Sequence, residues 1–538
     1  MRESESTADA QCRRQPTSWL SQCVALTLIL FAWSVLRLPV PGVNEPHYLT
    51  KARHYWNPGW IQGGTTPEGW SGDVFLDSSN PHLFFYATIG VLTKFLPLEQ
   101  AALAGRFIGC LFVAVGWWQL IRALTIPADD EYSAPRWTSL LGPLAIFLLF
   151  QSLGNWSGEW VVGGIESKVP AYGLLLYGLG SLLRSGWYRA GVACGLAVSF
   201  HPLVGGWGVL AIAGMLLWDW WRNRGNCPAG KTMVFASLLF AACVSMGIIP
   251  ALQMLLNADP VAARDADYLM VAFRLAHHLD PMVFPLESWR YFGLLLGLWG
   301  LLRWSRSASR SQHRWELFVL FALAFALAGV LAAAGPRPMN QMSLLTLRVM
   351  VLKFYPFRLI DGVLPIAVAL EVWHYCCQRA GELSRRQQGI VVAICLLVIT
   401  LSTQIQGTDR NPSAMSRTQQ QDWQAVCHWV RDNTPRSAIL YATNERWAMK
   451  WYAERSEYVN YKDCPQDAAS LLEWNRRQWI IADWQTAVFS DWQVTREELI
   501  ELHEQTGITH LLVSRMGPFR IAPIHEQGDF KVYELPTH

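Results

Sequence analysis

From residue 19 to residue 405 the chain alternates apolar runs with short clusters of basic residues. The runs fall at Trp19–Leu38 and then at roughly 101–123, 138–153, 167–183, 190–200, 203–221, 232–256, 290–304, 315–334, 349–374 and 388–405. In hydrocarbon a single segment can satisfy its own backbone only as a helix, so the pattern predicts a polytopic α-helical membrane protein with about eleven transmembrane helices. Several runs are shorter than the roughly 20 residues that span a bilayer, which calls for tilt or for breaks such as His201-Pro202. Only 16% of the residues are charged and 28 are Trp, a side chain that collects where hydrocarbon meets headgroups.

Charge divides the chain in two. Residues 1–405 hold 30 Lys+Arg and 23 Asp+Glu, net +7, whereas residues 406–538 hold 14 and 18, net −4. The reading is a cytoplasmic N-terminal tail over 1–18, a transmembrane domain over 19–405 with an outer loop at 39–100, a linker at 406–420 and an extracytoplasmic α/β domain over 421–538. Trp19–Leu38 follows Arg13 and Arg14 and lacks a small-residue cleavage site, so it is expected to remain as an anchor. Alternation from an inside N-terminus then places Arg122, Arg136, Arg184, Arg189, Arg222, Arg224, Arg303, Arg306, Arg310, Arg314, Arg379, Arg385 and Arg386 inside. This requires His82–Leu98 to lie on the outer surface as a half-embedded helix. An odd number of crossings leaves the tail outside.

The tail alternates helical stretches (421–432, 446–454, 467–478, 496–505) with strand-like ones (438–442, 458–461, 510–514 and near 530–534), which argues a small α/β sheet. No Gly-rich nucleotide loop follows a strand. The bilayer is the expected partner and nucleic acid is not, because the basic residues form no continuous stripe. The 11 Cys show no zinc spacing.

Ionisable residues that helix ends do not explain gather on the outer side in this topology. The first outer loop carries Glu45, His47 and Tyr48 within NEPHY, then Asp73. The next carries Glu159, Glu166 and Lys168 within GEWVVGGIESK. A third carries His277 and His278 within FRLAHHLDP, and the run at 349–374 is flanked or opened by Arg348, Lys353, Arg358 and Asp361. Glu45, Glu159 and Glu166 are the candidate catalytic acids, and the other named residues, apart from Lys353 and Asp361, are candidates for substrate binding. Simpler roles compete. Glu45 beside Pro46 can cap a helix, Glu166 and Lys168 can mark the membrane boundary, His277-His278 can pack at the interface, and the arginines can snorkel to headgroups.

NEPHY after the first helix, the element NPHLFFYATIGVLTKFLP and the Arg of AALAGRFIGCLF together resemble the GT-C superfamily of membrane glycosyltransferases. Within it the protein O-mannosyltransferase and lipid A aminoarabinose transferase type is the nearest in look. The resemblance covers residues 19–125 and implies an inverting sugar transfer from a polyprenyl-phosphate donor on the outer face. That family's Asp-Glu pair maps onto Asn44-Glu45, so only the second acid is retained. GGIESK, AHHLDP, KFYPFRLID and WVRDNTPRSAILY resemble a group of large bacterial membrane proteins of the same layout, which implies the cytoplasmic membrane of a bacterium and no particular sugar or acceptor. In this reading Glu45 serves as base, and Lys168, Arg348 or Arg358 neutralises the departing phosphate. The reading leaves a divalent metal open, although the sequence shows no dedicated ligand cluster for one, and calls for no other cofactor. The alternative is a catalytically inactive scaffold that binds a glycan or protein. A transporter is disfavoured, since repeated halves and mid-membrane charges are absent from the pattern.

Overall fold

The computed structural model describes residues 16–130, 133–222, 229–304, 308–405, 407, 410–443, 447–491 and 493–537. Arg13, Arg14, Arg224 and Arg306, most of the N-terminal tail and part of the linker lie outside the described residues. The chain forms two compact units. The first takes the chain up to Leu38 with Arg106–Ala251 and Asp267–Gly407, and the second takes Pro39–Gly105, Leu252–Ala266 and Thr408–His538.

Helices occupy the apolar runs: Pro16–Arg37, Leu98–Thr125, Trp137–Leu153, Lys168–Leu183, Trp187–Phe200, Pro202–Arg222, Gly230–Leu256, Leu286–Trp304, Arg310–Ala333, Arg358–Ala380 and Arg385–Ser402. Among the described residues seven helices are long and apolar enough to cross a membrane unaided. The chain is a polytopic helical membrane protein. Its shorter helices lie deep in the first unit: Lys168–Leu183, with 16 residues, is buried along nearly its whole length. Glycine makes that depth accessible, because a Cβ on Gly116 would stand 2.1 Å from the Gly173 carbonyl oxygen. Backbones approach this closely in membranes only where side chains are absent.

Two expectations are revised. The stretch His82–Leu98 is not one helix but three short turns, Leu83–Ala87, Ile89–Val91 and Leu92–Phe95, broken at Thr88, whose ψ of −89° leaves the helical range. The run at 349–374 is likewise interrupted. Leu345–Lys353 ends before Tyr355, which takes φ +54°, and a new helix starts at Arg358. Positive φ costs a β-carbon residue about 1–2 kcal/mol and ends a right-handed helix, so Arg348, Lys353 and Arg358 do not share one helix.

In the second unit a five-stranded sheet has the order β2-β1-β3-β5-β4, with β1 Ile439–Ala442, β2 Ser456–Glu457, β3 His510–Ser514, β4 His525–Gln527 and β5 Phe530–Glu534. β1 runs parallel to β2 and β3, and β5 pairs antiparallel with β3 and β4. The parallel pairs need crossovers; Met449–Ala453 supplies one, and Ala468–Asp491 with Arg496–Thr506 supplies the other. The segment 39–105 folds onto this sheet. Fully buried Arg477 ties it down by donating to the carbonyls of Ser71 (2.8 Å), Gly72 (3.2 Å) and Tyr458 (2.8 Å) while pairing with Glu473 at 2.8 Å.

Candidate functional site

The candidates within the first unit converge around one loop. Residues 154–167 leave the helix Trp137–Leu153 and return to Lys168–Leu183, and the carboxylate of Asp361, buried in the first turn of Arg358–Ala380, organises the loop from within. Asp361 accepts from the backbone N–H groups of Trp156 (2.7 Å), Ser157 (2.8 Å) and Glu159 (3.0 Å) and from the Ser157 hydroxyl (2.9 Å). Four donors on one buried carboxylate satisfy it without a cation. Arg358 is therefore held otherwise than by Asp361, although the two lie one turn apart.

Other contacts fix the same loop. The Trp156 ring stacks on Phe292 at 4.1 Å and meets Trp289 and Phe357 edge-on. Gly158 takes φ +88°, and a Cβ there would stand 2.2 Å from His278 Cε1. Burial and the neighbouring His277 push His278 down to about 3, so the ring is neutral and its Nδ1–H donates to the Ser157 carbonyl at 2.6 Å. Tyr355 donates its hydroxyl to the same carbonyl. His277 is exposed and lies against the His278 ring at 4.1 Å.

This scaffold places Glu159. One carboxylate oxygen, Oε2, stands 3.5 Å from Lys168 Nζ and 3.4 Å from Arg358 Nε. The other, Oε1, is buried and has no hydrogen-bond partner among the described residues. Lys168 also pairs with Glu166 at 3.5 Å and rests its ammonium over the Trp160 ring at 3.9 Å. Arg358 packs its guanidinium over Tyr355 at 4.3 Å, and its Nη1 lies 2.6 Å from His201 Nε2. The cluster balances two carboxylates against two cations, which is how charges persist away from water.

Arg348 and Lys353 are used elsewhere. Arg348 donates to the carbonyls of Ala332 (2.8 Å) and Ala334 (2.6 Å), capping the end of Arg310–Ala333, and Lys353 pairs with Asp267. His201, in the break before Pro202, and Tyr355 belong to the cluster although the sequence reading did not single them out.

Glu45, His47, Tyr48 and Asp73 belong to the second unit. Glu45 is buried in the first turn of Glu45–Trp56, where the helix dipole favours a carboxylate, and reaches back to accept from the N–H of Gly42, ahead of the helix, at 2.5 Å. Tyr48 packs against His82 and Phe85. His47 and Asp73 join an arrangement centred on a lysine that the sequence reading passed over. Lys450 Nζ is 2.7 Å from Asp463, 3.2 Å from Glu457 and 3.3 Å from Asp73, and His47 Nδ1 is 3.2 Å from Asp463. Burial opposes the Lys450 charge, but the three carboxylates outweigh it and hold the ammonium above its ordinary range. Among the described residues no three His, Cys, Asp or Glu side chains are grouped as a metal ion would require.

A family model described as a domain of unknown function (DUF6798) matches residues 421–481, the span that holds Lys450, Glu457 and Asp463. No curated protein sequence matches the chain. Among solved structures it is similar to the crystal structure of ArnT from Cupriavidus metallidurans in the apo state, at 13% identity and a TM-score of 0.44 over 97% of this chain and 98% of that one.

Proposed function

We propose that the protein transfers a sugar from a polyprenyl-phosphate donor to an acceptor at the membrane surface, with Lys168 and Arg358 receiving the donor phosphate. The observation that carries this reading is the convergence of both cations on one carboxylate oxygen, Oε2, of the buried Glu159. A polyprenyl chain keeps its phosphate at headgroup depth, so a protein can meet it only with cations at the ends of membrane helices. Lys168 and Arg358 each open such a helix, and N-termini add their own attraction for anions. Arg offers a fork that matches phosphate, and Lys a mobile point charge.

In an inverting displacement an acceptor hydroxyl attacks the anomeric carbon, the bond to phosphate oxygen breaks with its electron pair, and the hydroxyl proton passes to a base. Base and leaving phosphate lie on opposite faces of the sugar. Glu159, in contact with the phosphate-binding cations, is therefore assigned to hold them rather than to act as the base. The test is transfer from labelled polyprenyl-phosphate sugars by the purified protein. Lys168→Met and Arg358→Ala should abolish donor binding and, with it, transfer. Parental transfer by both variants sinks the reading.

A further inference from the structure

The second unit contains a cavity of about 300 Å³ walled by parts of the chain far apart in sequence, among them His47, Trp447, Trp451, Asn460, Tyr461 and Asp463. We infer that this cavity is a binding site for an uncharged pyranose unit of a glycan, separate from the cluster assigned to the donor. The inference does not rest on the transfer reading, since a scaffold without activity would have the same cavity.

Three features of the wall point to a sugar. Its volume is at the lower end of small-molecule pockets, which start near roughly 300 Å³, so it suits one ring better than an extended cofactor. Its aromatic share is large: Trp447, Trp451 and Tyr461 are among the lining residues, and an aromatic ring is an apolar partner for the axial C–H face of a pyranose. Its polar groups are fixed before any ligand arrives. Lys450 is clamped by Asp463, Glu457 and Asp73, Asn460 donates to Glu457 at 3.1 Å, and the Trp451 indole donates to Glu99 at 2.7 Å. Preset partners lower the ordering cost of binding.

Trp447 is fixed at the wall through its backbone. Its carbonyl accepts from Trp423 Nε1 at 3.0 Å. Charge argues against an anion. Lys450 of the wall is already surrounded by three carboxylates, Asp463 on the wall and Asp73 and Glu457 outside it. A neutral ligand enters without meeting that field.

The test uses the full chain in lipid nanodiscs free of sugar-headed detergent. Saturation-transfer difference NMR is recorded with the methyl glycosides of mannose, galactose and N-acetylglucosamine, and inorganic phosphate is added as competitor. At least one glycoside should show saturable transfer to its ring C–H protons, unaffected by phosphate. Trp447→Ala should weaken it roughly tenfold, the scale of a strong aromatic contact, and Trp447→Phe, which keeps a ring, by less. No saturable transfer from any of the three, displacement by phosphate, or equal binding by the Trp447→Ala protein overturns the inference. Each of these results leaves sugar transfer by the first unit open to its own assay.

Discussion

Asp361→Asn should release the loop that carries Glu159 without disturbing the helix it sits on. The best fit of the amide turns its oxygen toward the three donors now on Oδ2, namely Ser157 N–H, the Ser157 hydroxyl and Glu159 N–H, and leaves its NH2 facing the Trp156 N–H now on Oδ1. One buried donor then has no acceptor, at about 1–3 kcal/mol, and three charge-assisted bonds become neutral, losing about 1 kcal/mol each. Relief of the buried charge offsets part of this, for a net local loss of about 2–4 kcal/mol. Hydrogen exchange by mass spectrometry on residues 155–160 reads it directly, because that loss corresponds to roughly 30- to 800-fold faster exchange where opening is local. Exchange within threefold of the parent would show that Asp361 does not hold the loop, and the account of how Glu159 is positioned would fail with it.

Gly158→Ala should lower the thermal midpoint and expose the same loop, since φ +88° disfavours a β-carbon and that carbon would displace His278; about 2–4 kcal/mol is expected, and an unchanged midpoint counts against the packing described. Lys51→Met should destabilise the second unit by about 2–4 kcal/mol, because Lys51 Nζ is the shared donor to the carbonyls of Phe75, Leu76 (2.9 Å) and Ser78 (2.6 Å); limited proteolysis of residues 70–80 checks it. Burial lifts Glu457 from 4.5 to about 7 against the pull of Lys450. The folded unit thus keeps a proton that the unfolded chain releases, and this group's contribution makes stability fall as pH rises from about 4.5 to about 7. Melting curves across that window should lose this slope in the Glu457→Gln protein.

The membrane helices were legible because hydrocarbon leaves a backbone one option, and the apolar runs mark where it is taken. β3 and β5 were legible for a similar reason: HLLVS and FKVYE are apolar enough to declare a strand. β4, reading HEQ, is polar and three residues long, and its pairing with β5 comes from the turn at Gly528 rather than from its own composition. The segmentation at Tyr355 was not legible, because a β-carbon residue at φ +54° leaves no compositional mark. The sites were less legible still. Lys450 sits in a five-residue helix with nothing unusual beside it, and its acids come from positions 73, 457 and 463. His201 looked like a helix break, and only the fold brings it within 2.6 Å of Arg358. Glu159 and Lys168 were visible as charges where a bilayer tolerates few, but the choice of Arg358 over Arg348 as their partner depends on the helix break between them.

The central claim is that Lys168 and Arg358 receive the phosphate of a lipid-linked sugar. The most direct measurement is equilibrium binding of a radiolabelled polyprenyl-phosphate sugar to the purified protein in nanodiscs, comparing the parent with Arg358→Lys and Lys168→Met proteins of parental thermal stability. The account predicts saturable binding by the parent, roughly tenfold or greater weakening by Arg358→Lys because the bidentate fork is lost, and a comparable loss by Lys168→Met. Parental affinity in both variants would contradict it, and would leave Glu159, Lys168 and Arg358 as an ion cluster that only holds three segments of the chain together.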